Sequence, residues 1–306
     1  MTEKRREPRS FGLQPSQGNF EPMPSPPLRL LYAICGLLAV IPAAARAAEP
    51  EKIAFPSANN QATPLTGYLY RPAGSGPFPA VVAMHGCGGL LTRSGTFRRR
   101  DTDWGERLAA AGIAVLFPDS FNSRGVGQVC TLKVADRPVA PFGRSFDANG
   151  AADWLAAQPF IDRNRIGLIG WSNGGTTVLW SVRAGAAPSS TEFKTAIAFY
   201  PGCRPPLQRA AWWPRLPLKI LIGALDDWTS PEPCRALAAK HAFPMIEYPD
   251  AYHGFDAPDT AVRVRQGLGL TADGSGQAHV GTNPAARDAA IAEVMATLNA
   301  ALGPGK

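Results

Sequence analysis

Six apolar runs alternate with stretches of helical pattern, and that alternation limits the folds open to this chain more than any other feature. The runs are "PAVVAMHG" (79–86), "GIAVLFPD" (112–119), "RIGLIGWS" (165–172), "TAIAFYPG" (195–202), "LKILIGALDD" (218–227) and "PMIEYPDAYHG" (244–254). The central ones are too continuously apolar for strands with one wet face, so helices should cover the sheet on both sides. Between them lie helix candidates at 101–111, 147–158, 173–185, 234–242 and 283–302. In the second, Asp147 reads as the N-cap, with Ala151, Trp154 and Leu155 on one face. "KIAFPS" and "TGYLYRP" read as an antiparallel opening pair. The expected architecture is α/β, a mostly parallel sheet of about eight strands. With 45% hydrophobic content in 306 residues, one domain with one core suffices.

The amino end reads differently. "LRLLYAICGLLAVIPAAARAAEP" runs from Arg29 through an apolar stretch to small residues, the pattern of a secretory signal cleaved after Ala47. An uncleaved anchor is the runner-up, and a start at Met23 would give a signal of ordinary length. Residues 1–47 are thus expected to be extension and signal, and 48–306 the functional domain, periplasmic or secreted. Residues 1–47 carry Lys4, Arg5, Arg6, Arg9, Arg29 and Arg46 against Glu3, Glu7 and Glu21, so losing them lowers the formal charge from +7 to +4. Without interleaved aromatic and basic residues, that charge supports no nucleic-acid partner, and no stable membrane insertion is expected after cleavage. Export would place Cys87, Cys130, Cys203 and Cys234 in an oxidising compartment. Cys203 and Cys234 each follow a strand candidate, so the favoured pairs are Cys203 with Cys234 and Cys87 with Cys130, against free buried thiols.

In open parallel sheets, ligands bind at the carboxyl ends of strands. There "GWSNG" fits G-x-S-x-G between an apolar strand and a helix, a sharp turn that would lift the Ser172 hydroxyl above the sheet. Serine needs a base, and histidine is the side chain suited to that at neutral pH. His253 in "YHGF" follows a strand late in the chain, whereas His85 opens "HGCGG", His241 lies in a helix candidate and His279 in a late segment, 269–284, that reads as a mobile loop bordering the site. The partner carboxylate should end the strand "LKILIGALDD". Asp226 and Asp227 compete there, with the spacing from Gly223 favouring Asp226, and Asp250 is a third candidate. For the anion of a tetrahedral intermediate, the donors would be the N–H of Asn173 and of Cys87, with Gly86 as alternative to the latter. Trp104, Trp171, Trp212, Trp213 and Trp228 are candidates for pocket walls or core. No H-E-x-x-H or clustered ligand set calls for a metal, and no cofactor is expected; nothing in the pattern specifies an oligomeric state.

Over about residues 50–300, "HGCGG", "PDSFNSRG", "RIGLIGWSNGG", "GALDDWTSP" and "YHGF" resemble the dienelactone hydrolases of the α/β-hydrolase superfamily. The resemblance implies the α/β-hydrolase fold and cleavage of a small-molecule ester or lactone through an acyl-enzyme. It also implies that Arg124, which matches a family arginine, binds a substrate carboxylate. Typical members carry cysteine where Ser172 stands and glutamate where Gly86 stands, and a second family arginine has no counterpart in "HGFDAPD". The alternatives are a peptidase or acyltransferase on the same scaffold and a non-catalytic binding protein that keeps the fold.

Overall fold

The computed structural model describes residues 49–186 and 190–305, with Gly18, Pro22 and Met23 upstream. The chain divides into two compact units, Met1–Ala45 and Arg46–Lys306, and the fold below belongs to the second. The expected signal segment lies outside the described residues. None of the described helices is long and apolar enough to cross a membrane.

The opening pair is β1 (Glu51–Pro56) and β2 (Pro64–Tyr70), antiparallel as expected. The apolar runs become β3 (Phe78–Met84), β4 (Ala114–Pro118), β5 (Ile161–Trp171), β6 (Ala196–Phe199), β7 (Leu218–Gly223) and β8 (Met245–Tyr248). Together they form one eight-stranded sheet in the order β1-β2-β4-β3-β5-β6-β7-β8, parallel from β4 to β8. Every residue of β3, β4 and β6 is buried, which happens only where both faces of a sheet are covered. The cover comes from α1 (Arg99–Ala110), α2 (Pro141–Ala156), α3 (Asn173–Ser181), α5 (Pro231–His241) and α6 (Pro284–Leu302), with the short α4 (Arg204–Leu207) after β6. Local chemistry starts two of these cleanly. Pro231 and Pro284 occupy first-turn positions, and the Ser230 and Asn283 side chains accept from Glu232 N and Ala286 N.

Two expectations fail. Asp147 does not cap a helix: α2 begins six residues earlier at Pro141, and Asp147 lies buried inside it. A proline at the first turn carries its own helical φ, and tertiary contacts then outweigh the capping preference of an aspartate. The second is the 269–284 segment, which is tied down rather than loose. β9 (Arg263–Arg265) and β10 (Ala278–Val280) pair antiparallel, Gly269 N donates to Cys130 O at 2.9 Å, and Ala272 N donates to Asp227 O at 3.1 Å. Hydrophobic periodicity cannot register a segment held by such polar contacts.

Candidate active site

The turn from β5 into α3 carries Ser172 at φ 55°, ψ −114°, a left-handed value unusual for a residue with a side chain. Its neighbours explain why the turn tolerates nothing larger around it. A Cβ at Gly174 would collide with Met84 O, and one at Gly170 with the Gly174 carbonyl. Because β3 and the elbow approach this closely, the serine projects from a crowded backbone and has little freedom to retreat. Ser172 N donates to Phe199 O at 2.9 Å, anchoring the strained residue to β6.

Above it, His253 Nε2 lies 3.0 Å from Ser172 Oγ, and His253 Nδ1 lies 2.8 Å from Asp226 Oδ2. The carboxylate accepts only, so Nδ1 carries the proton and Nε2 accepts from the serine hydroxyl. Asp226 is itself fixed by an Asx-type turn: its Oδ1 accepts from Trp228 N at 3.0 Å and Thr229 N at 2.8 Å. The Thr229 hydroxyl shares its one proton between two acceptors, Tyr200 O at 3.0 Å and Asp226 Oδ2 at 3.2 Å. The imidazole is further clamped between rings, with the Tyr200 centroid 4.5 Å and the Trp228 centroid 4.6 Å away. All three polar residues are buried, which strengthens their electrostatic coupling.

The competing acids have other partners. Asp227 accepts from the His279 backbone N–H at 2.8 Å and faces its Nδ1 at 2.7 Å, pinning β10 beside the site. Asp250 sits in an exposed turn at φ 54°.

"HGCGG" follows β3 and passes close beside the elbow: a Cβ on Gly86 would stand 3.6 Å from Ser172 Cβ. His85 is buried and its Nδ1 lies 2.9 Å from Gly86 O. Burial, and next the nearby Arg144 charge, hold the His85 pKa well below the usual histidine value, so the ring is neutral and donates from Nδ1. Pinning the Gly86 carbonyl turns the Cys87 N–H the other way, because C=O and N–H of one trans peptide point oppositely. Cys87 is joined to Cys130, and Cys203 to Cys234, the two pairs expected. Both bridges reach the site, since Cys87 and Cys203 line a cavity of about 390 Å3 that opens over Ser172 and Asn173. Its apolar walls include Phe142, Trp180, Trp228 and Leu270.

A model of the dienelactone hydrolase family matches residues 65–302 of this sequence. The chain belongs to the dienelactone hydrolase family. Among similar solved structures is a putative dienelactone hydrolase from Klebsiella pneumoniae, 19% identical with a TM-score of 0.58, covering 81% of this chain and 98% of that one. A dienelactone hydrolase-like promiscuous phosphotriesterase from metagenomic libraries is 21% identical, with a TM-score of 0.57 and coverage of 83% and 98%. Esterase 2 of Thermogutta terrifontis is 18% identical, with a TM-score of 0.55 and coverage of 84% and 96%. At such identities the likeness is one of fold, here the α/β-hydrolase fold.

The structure places one residue named by the family resemblance away from the cavity. Arg124 does not line the cavity. Its Nη1 and Nη2 donate to Asp147 Oδ2 and Oδ1 at 2.9 and 2.8 Å, and Nη1 also reaches Ser120 O. The reason is Asp147, buried in α2, whose charge needs a bidentate partner more than the solvent-facing loop needs an arginine.

Several residues that shape the site carry no motif. Tyr200, at φ 36°, donates its hydroxyl to Asp256 Oδ1 at 2.5 Å, and Asp256 Oδ2 accepts from Trp104 and Trp171 Nε1, each at 2.8 Å. Burial, then the Asp256 charge, pushes the Tyr200 pKa well above its usual value and keeps it a donor. Trp104, Trp171 and Trp212 are therefore core, Trp228 is a cavity wall, and Trp213 is half exposed. The available signal for the Asp226 clamp was the turn sequence "DDWTSP", in which aspartate followed by threonine three residues later favours a side-chain-closed turn.

Proposed function

We propose that the protein is an exported serine hydrolase that cleaves a small carboxylic ester or lactone through an acyl-enzyme. The observation that carries this reading is the unbroken hydrogen-bonded line from Ser172 Oγ through His253 to Asp226. Ser172 Oγ attacks the carbonyl carbon while His253 Nε2 takes its proton, and Asp226 holds the tautomer and stabilises the imidazolium. The oxyanion is held by the N–H groups of Asn173, at the positive end of α3, and Cys87. As the intermediate collapses, His253 returns the proton to the leaving alkoxide. Water, deprotonated by the same nitrogen, then attacks the acyl-serine, and His253 gives that proton to Ser172 Oγ as the acid leaves. The apolar cavity walls favour a substrate with an apolar acyl or alcohol body. Export is supported by the pattern of residues 1–47 and by two disulfides, which persist in oxidising compartments.

The test is hydrolysis of a short p-nitrophenyl ester series, run beside labelling by a serine-directed fluorophosphonate. Activity and labelling should both vanish in Ser172→Ala. A wild-type protein that neither labels nor turns over any ester sinks the proposal and favours a binding protein that keeps the fold.

A further inference from the structure

α2 and α3 pack against each other, and at their junction α2 inserts Arg144, which is fully buried. Its contacts are few for a guanidinium with five donors. Nη1 donates to Asn173 Oδ1 at 2.6 Å, and the carbon centre lies 4.7 Å over the Phe121 ring. Nε and Nη2 are buried with no hydrogen-bond partner among the described residues. No described carboxylate hydrogen-bonds to it, for Asp147, one turn along α2, is engaged by Arg124 and by Ser57 Oγ. Burial lowers the Arg144 pKa to about 10, which still leaves it charged at neutral pH.

A cation placed this way is a poor choice for packing. A methionine or leucine would fill similar space without desolvating a charge or stranding donors, and such replacements are often neutral or stabilising. What the position does offer is contact with Asn173, whose backbone N–H is the elbow's oxyanion donor, and proximity to His85, whose imidazole the Arg144 charge helps keep neutral. The phenyl ring of Phe121 is shared by both, packing 4.7 Å from His85 and beneath Arg144.

We infer that Arg144 is a positioning residue of the oxyanion hole. Through Asn173 Oδ1 it fixes the first peptide of α3, and it supplies a buried positive charge one side chain away from the developing oxyanion. The inference rests on the serine-hydrolase reading. A buried charge in a low-dielectric site acts at longer range than in water, and the oxyanion forms only on the way to the tetrahedral intermediate, so the contribution appears in the transition state and not in substrate binding.

The experiment compares Arg144→Met, Arg144→Lys and Asn173→Ala with wild type, with kcat counted per fluorophosphonate-labelled site so that unfolded protein drops out. Losing a direct oxyanion donor costs about 100-fold or more in kcat; acting through Asn173, Arg144→Met should cost about 30-fold, with KM within about threefold. Arg144→Lys, which keeps the charge, should recover most of that loss. Asn173→Ala keeps its backbone donor but loses the anchor and should cost about tenfold, and combining it with Arg144→Met should cost less than the product of the two. The inference is overturned by full kcat per labelled site in Arg144→Met, or by Arg144→Lys being no better than Arg144→Met. Should neither Arg144 variant label, unchanged kcat in Asn173→Ala overturns it from the other side of the contact. A wild type without labelling or turnover overturns the hydrolase reading itself, and with it any oxyanion to stabilise.

Discussion

The two arms of the site are built on different physics. The arm carrying Ser172, from β3 and β5 into α3, is set by backbone sterics: a Cβ at Gly170 would meet the Gly174 carbonyl of its own turn, and one at Gly174 the Met84 carbonyl of β3. By contrast, the arm carrying Asp226 and His253, spanning 224–230 and 249–283, contains little regular structure and is held by side chains. Asp226 is placed by two N–H groups and a threonine hydroxyl, His253 by two rings and a carboxylate, and β10 by Asp227. A sterically set arm should fail by unfolding when perturbed. A hydrogen-bonded arm should fail by losing chemistry while remaining folded.

The sharpest break of that comparison is Asp226→Asn. The side chain keeps its shape, but its amide would present a donor to His253 Nδ1 and favour the wrong tautomer. The expected loss in kcat is about 10⁴-fold, as for the equivalent change in a Ser-His-Asp triad, with a melting temperature shifted by only a few degrees. A loss below about tenfold would mean that another acid serves His253, and the competition between adjacent aspartates would have to be reopened.

Gly174→Ala tests the other arm. The added methyl meets Met84 O and lies 2.7 Å from His85 O, both backbone atoms that cannot swing aside. Overpacking of this kind costs about 3 kcal/mol or more, so a drop in melting temperature of roughly 6–12 °C is expected by thermal unfolding. A variant that melts normally would show that the elbow is less crowded than its geometry states.

This division also explains what could be read from the sequence. The parallel core and the elbow were legible because apolar runs and close-packed glycines are local, position-specific signals. Ser172, Asp226 and His253 each follow a strand end, so their meeting in one hydrogen-bonded line was legible in the same way. The ion pair of Arg124 is not legible, because a motif fixes a residue type at a position but not its partner, and the partner, Asp147, lies inside a helix that starts at Pro141. Tyr200, Asp256, Arg144 and the ordered 269–284 segment were invisible for a related reason: their roles arise from contacts between residues far apart in the chain, and no spacing encodes them.

Arg124 gives the third prediction, of similar size in stability but with a different signature. Arg124→Met would leave the Asp147 carboxylate buried with Ser57 Oγ as its one hydrogen-bonding side chain among the described residues, a loss of about 3 kcal/mol. Urea unfolding should report that loss, while KM for neutral and carboxylate-bearing esters should change in parallel. If instead KM rises selectively for the carboxylate-bearing ester, Arg124 reaches the substrate and the ion pair is secondary.

The smallest expected effect is that of Asp227→Asn. This residue neighbours Asp226 in sequence, yet its carboxylate faces outward to the His279 backbone and ring, with both side chains about two-fifths exposed. Exposed ion pairs contribute at most about 1 kcal/mol, and an asparagine oxygen can still accept from His279 N. Turnover of p-nitrophenyl esters should therefore fall by less than about fivefold, chiefly as a rise in KM where the β10 segment and the cavity-lining Thr271 and Ala272 shift. The contrast with Asp226→Asn carries the weight: two adjacent aspartates, changed in the same way, should differ by more than about three orders of magnitude in kcat, because on the proposed mechanism one orients the imidazole and the other only moors the loop beside it.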